Sequence, residues 1–164
     1  MSTEIYALDG QRSGRWTEAP VGEPGAAFDA VIEECSCARW SGPGGRTFLD
    51  LHSCVTLADD APPEVSRLWT ALLGLVNPQG EFPSGLPRWM QRAHEDTYKN
   101  LTSPDALRAL VQRIDADPDA LQAIVAQAGA DGQELEGRAL ESLVPFLRKC
   151  AQEGWWVLGT EEGT

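Results

Sequence analysis

The chain has 164 residues, 42% hydrophobic and 23% charged, which is the length and mix of one globular domain over 1–164 with interior enough to need no disulfide or metal. Thirteen Lys and Arg against twenty-five Asp and Glu leave a net charge of −12, the wrong sign for neutralising a phosphate backbone, so general nucleic-acid binding is excluded. No apolar run approaches the ~20 residues of a membrane span, and MSTEIYALDG lacks both the basic and the apolar part of a secretory leader; the expectation is a cytoplasmic protein with no membrane partner.

Residues 3–8 are β-prone and closed by Asp9-Gly10, which predicts a strand. A Gly- and Pro-rich loop over 10–25 carries Trp16. Phe28, Val31, Ile32 and Cys35 then repeat at i, i+3, i+4 and i+7 and predict a helix over 26–37. Past the turn cluster 41–45, Leu49, Leu51, Val55 and Leu57 alternate with Phe48, Asp50, His52, Cys54 and Thr56, so a second strand is predicted over 46–57.

Beyond Pro62-Pro63 the pattern becomes helical. Val65, Leu68, Trp69, Leu72, Leu73 and Val76 form one face of a helix ended by Asn77-Pro78, and another helix is predicted near 87–98. SPDALRALVQRIDA (103–116) is echoed by DPDALQAIVAQAGA (117–130): each unit opens with an N-cap, Ser103 or Asp117, then a proline and an aspartate at the positive helix start. Two copies do not make a solenoid, so these are two similar helix starts. The longest candidate, 134–153, has Leu135, Leu140, Leu143, Val144, Leu147 and Cys150 as its apolar stripe. Pro145 is expected to kink or split it. Gly154 ends it, and 155–159 predicts a closing strand. The sum is an α+β fold, about three strands (near 3–8, 46–57 and 155–159) packed against five or six helices.

Familiar catalytic and phosphate-binding motifs are missing. Gly42-Pro43-Gly44-Gly45-Arg46-Thr47 lacks P-loop spacing, His94-Glu95 is followed at 98 by Tyr rather than His, and Asp115, Asp117 and Asp119 lack the glycine and distal glutamate of a calcium loop. Cys35, Cys37, His52 and Cys54 have the composition of a zinc site without its Cys-x₂₋₄-Cys spacing, so they are a weak metal candidate and the four cysteines are read as free thiols. Asp50, His52 and Cys54 share one face of the strand expected at 46–57, an arrangement in which an imidazole activates a thiol; this is the alternative site, for a small enzyme or ligand-binding domain. No cofactor is implied.

Six Trp against two Tyr and four Phe is an unusual ratio. Trp69 and Trp156 fit apolar stripes, whereas Trp16, Trp40 and Trp89 fall in loops or at helix ends. Together with Phe82, Arg88 and Arg92 they make the candidate binding set, because tryptophan joins a large contact area to one donor. Charge is uneven: residues 1–60 hold four cations and ten anions, 61–100 four of each, and 101–164 five and eleven. Two ends of −6 thus flank a neutral middle. Eleven Arg against two Lys, with many Ala, Gly and Pro, points to a GC-rich bacterial gene. The expectation is a non-enzymatic bacterial cytoplasmic protein, of the immunity or antitoxin-inhibitor kind, that meets a basic protein partner. The small enzyme and the structural zinc module are the alternatives.

Overall fold

The computed structural model describes residues 2–12, 16, 24–40, 55–76, 89–90 and 99–162. Among them, five α-helices accompany one antiparallel sheet, as the α+β reading requires. The sheet contains β1 (Ser2–Leu8), β2 (Ser36–Arg39), β3 (Lys99–Thr102) and β4 (Trp156–Glu162), in the order β2-β1-β4-β3. β1 and β4 pair along their whole length, from Ser2 opposite Glu162 to Leu8 opposite Trp156. The first and last strands of the sheet are therefore neighbours in space.

Side chains alternate across a strand, so this register sorts the sheet residues onto two faces. Ile5, Ala7 and Val157 point into one core; Tyr6, Leu8, Trp156 and Leu158, with Leu101 of β3, point into a second. The second core is closed by α1 (Pro24–Cys35), through Phe28, Val31, Ile32 and Cys35, and by Trp16 and Met90. The first is closed by α2 (Pro63–Leu73), α3 (Pro104–Ala116), α4 (Pro118–Ala130) and α5 (Glu134–Glu153). Helices thus cover both sides of the sheet.

Two short strands are not among those expected from the sequence. The helix expected over 26–37 ends at Cys35, whose carbonyl accepts the Asp9 N–H at 2.8 Å, and residues 36–39 go directly into β2. Between Ala7 and Leu8 the partner on β2 steps from Ala38 to Ser36, so Cys37 is the extra residue of a β-bulge. Cys37 consequently packs with Ala38 against the first core, and its thiol donates to the Ala7 carbonyl at 3.5 Å. β3 is the other unpredicted strand. Of the strand expected over 46–57, only 55–57 are described, and they lie outside the sheet, although Val55 is buried in the first core. Of the helix expected near 87–98, Trp89 and Met90 are described and are helical.

The C-terminal half follows its caps. Ser103 Oγ accepts the Ala106 N–H at 3.2 Å and Asp117 Oδ1 that of Ala120 at 3.3 Å, so both echo units start helices where the sequence places them. α5 runs unbroken through Pro145, which lies on its exposed side, and ends at Gly154 with φ 73°. Leu135 departs from the expected stripe: it is 56% exposed.

Gly159 sets how closely α2 approaches the sheet. A Cβ there would overlap the Leu75 carbonyl oxygen and stand 3.1 Å from Val76 Cγ1, in the turn that follows α2. Opposite Gly159 on β3, the buried Asn100 donates through Nδ2 to the Gly74 carbonyl at 2.5 Å. A missing side chain and a buried amide together lock that turn onto the sheet.

Candidate functional site

The β1–β4 face that meets α1 is not fully covered. Between α1 and the strands lies a cleft of about 480 Å³, lined by Glu4, Tyr6, Asp29, Ile32, Glu33, Ser36, Leu158 and Thr160. α1 contributes Asp29, Ile32 and Glu33, an i, i+3, i+4 set on one helix face. β1 and β4 supply the floor as cross-strand pairs, Glu4 opposite Thr160 and Tyr6 opposite Leu158.

One carboxylate is held in place. Glu4 Oε2 accepts the Tyr6 hydroxyl at 2.8 Å, Oε1 accepts Arg39 at 3.1 Å, and the Arg39 guanidinium lies 5.4 Å from the centre of the Tyr6 ring. Glu33 is exposed on the rim. Thr160 is only 4% exposed, and its hydroxyl makes no hydrogen bond to a described residue. Among the described lining residues, three carboxylates and three hydroxyl groups therefore face a partly apolar space. Such a lining attracts positive charge. A second cleft, about 230 Å³ between α2, α3 and α4, has balanced charge from Glu64, Arg67, Arg113 and Asp117.

The tryptophans singled out from sequence have packing roles. Trp16 belongs to the second core, its ring centroid 5.9 Å from that of Trp156, and its carbonyl accepts Nε1–H of the half-buried Trp89 at 3.2 Å. Trp40 lies on the other side of the sheet, 1% exposed in the first core, with Nε1–H donating to Ser142 Oγ at 3.1 Å. The fold supplies internal acceptors for the Trp40 and Trp89 indoles, and Trp16 and Trp40 are buried on opposite sides of the sheet, so the three do not form one surface patch. Phe82, Arg88 and Arg92 lie outside the described residues, as do Asp50, His52 and Cys54.

Cys35 and Cys37 do not converge. The end of α1 buries Cys35 in the second core, and the bulge turns Cys37 toward the first, so the pair that the zinc candidate needs is split by the sheet. Among the described residues no three His, Cys, Asp or Glu are placed to hold a metal ion. Burial raises the Cys37 thiol, with nearby Arg12 opposing the shift. Burial, reinforced by Cys37, pushes Cys150 up to about 12. Both are protonated at neutral pH, and a thiol is a poor nucleophile.

The acidic cleft was not singled out from sequence. The spacing of Asp29, Ile32 and Glu33 and the alternation of Glu4 with Ile5 are both visible there, but which strand stands beneath which helix face is settled only by the pairing of β1 with β4. Compared with protein-family models, curated proteins and solved structures, the chain matches none. No helix among the described residues is long and apolar enough to cross a membrane.

Proposed function

We propose that this protein is a non-enzymatic binding protein of the bacterial cytoplasm whose acidic face takes a basic protein partner, in the manner of an immunity or antitoxin-type inhibitor. The observation that supports this reading is the acidic lining of the cleft between α1 and the β1–β4 face, Glu4, Asp29 and Glu33, in a chain of net charge −12. A surface of one sign accelerates encounter with an oppositely charged protein and rejects like-charged competitors.

The test is capture from a bacterial lysate on the immobilised protein, beside a variant carrying Asp29→Lys and Glu33→Lys. Basic proteins are expected on the wild type at low salt, released at about 0.5 M salt where the Debye length shrinks to a few ångströms, and lost from the variant. Capture that is identical on both forms and indifferent to salt refutes the reading.

A further inference from the structure

We infer that the cleft between α1 and the β1–β4 face seats an alkyl ammonium group, a primary amine on a hydrocarbon stem. The inference rests on the basic-partner reading and names the chemistry that its acidic face recognises.

Thr160 gives the cleft a polar interior. It is 96% buried, lines the cleft opposite Glu4, and its hydroxyl has no hydrogen-bond partner among the described residues. A buried polar group left without a partner is a cost that folding normally avoids, and a ligand donor offsets it. Around it stand the carboxylates of Glu4, Asp29 and Glu33, which supply negative charge, and Ile32, Leu158 and the Tyr6 ring, which supply apolar wall. Charge at the head and hydrocarbon along the stem is the pattern of a lysine-like chain, which buries its methylenes and keeps its ammonium among acceptors. The volume, about 480 Å³, lies within the ~300–1,000 Å³ of small-molecule clefts.

An ammonium suits these acceptors better than a guanidinium or a metal ion. A guanidinium favours the open edge of a carboxylate, and both oxygens of Glu4 are already engaged, by Tyr6 and Arg39. An ammonium instead sends three separate donors to dispersed acceptors, here Thr160, Glu33 and the remaining lone pairs of Glu4. No three metal-binding side chains converge among the described residues.

The ammonium has two sources, a lysine side chain of the protein partner or a free amine, and two probes separate them. Amide NMR spectra are recorded while the full chain is titrated with N-acetyl-lysine methylamide and, separately, with 1,4-diaminobutane; butane-1,4-diol serves as the uncharged control. Saturable shifts are expected at Ile32, Glu33, Leu158 and Thr160 with an amine and none with the diol. Thr160→Val, which keeps the shape and removes the hydroxyl, is expected to weaken binding about tenfold, as is Glu33→Gln, each figure being the loss of one charge-assisted hydrogen bond. Thr160→Ser retains the acceptor and is expected to retain binding, which separates loss of the hydroxyl from damage to the fold. Response to the lysine derivative supports a partner side chain in the cleft. Response to the diamine alone supports the cleft but assigns it to a free amine, removing the cleft from the protein-partner reading. Shifts that are scattered, unsaturable or unchanged in both variants overturn the inference; if salt-sensitive capture of basic proteins persists in that case, the broader function stands and the cleft is not its contact.

Discussion

Replacing Gly159 by alanine should do far more damage than adding one methyl group suggests. The new Cβ overlaps the Leu75 carbonyl oxygen, stands 2.8 Å from the Leu75 carbonyl carbon and meets Val76 Cγ1 at 3.1 Å. Two of these neighbours are backbone, so no side-chain rotation relieves the clash. The turn after α2 must retreat by on the order of 1 Å to restore van der Waals contact. Overpacking of this kind costs about 1–3 kcal/mol. The retreat also draws the Gly74 carbonyl away from Asn100 Nδ2, now 2.5 Å from it. Leaving that buried amide without its acceptor costs about 1–3 kcal/mol more. A loss centred near 4 kcal/mol is expected, equivalent to a fall in Tm of about 8–16 °C for a domain of this size. Urea denaturation followed by tryptophan fluorescence and circular dichroism measures it. Gly129→Ala is the control, since a Cβ there meets only Glu134 Cγ, at 3.9 Å, in a helix where alanine is worth up to about 1 kcal/mol. A Gly159→Ala protein within about 1 kcal/mol of wild type would refute the close approach of α2 to the sheet.

Ser142→Ala removes the acceptor of Trp40 Nε1–H inside the first core and is expected to cost about 1–3 kcal/mol by denaturation, whereas an unchanged midpoint would deny that hydrogen bond. Ser103→Ala is expected to cost about 0.5–2 kcal/mol as a lost N-cap, but Arg148→Ala, which breaks an exposed pair with Asp115, less than about 1 kcal/mol; the reverse order would contradict the capping account of α3. Cys150 keeps its proton in the folded state up to about 12, against an ordinary value of 9.0. The unfolded chain therefore loses that proton first, and the contribution of Cys150, full below pH 9, declines as pH rises toward 12 by up to about 1.4 kcal/mol per unit. Urea midpoints between pH 8 and 11 should fall less steeply in Cys150→Ala than in wild type, and parallel slopes would dismiss the buried thiol as their cause.

The parts of the fold legible in the sequence are those fixed by local chemistry. Ser103, Asp117 and Gly154 mark helix ends because each satisfies or terminates a backbone next to it, and the apolar stripes of α2 through α5 follow from one helical period. β2 and β3 were not legible: four residues are too few to display an alternation, and each is a strand because β1 or β4 offers it a partner remote in sequence. Leu135 fits the stripe by spacing, yet it sits in the first turn of α5, where it remains exposed. The candidate site divided in the same way. Trp40 is a binding candidate by its place outside the apolar stripes, but the acceptor of its N–H, Ser142, is 102 positions away and holds it in the first core. Conversely, Ile32 is legible as part of the apolar stripe of α1, but the cleft that Asp29 and Glu33 share with Glu4 and Thr160 depends on a strand pairing remote in sequence.

The most direct test of the account is where a captured basic partner sits. Amide shifts of the full chain on adding that partner should concentrate on α1, β1 and β4, around Asp29, Glu33 and Thr160, and should shrink as salt is raised. Shifts confined to α3, α4 and α5, on the opposite side of the sheet, would contradict it.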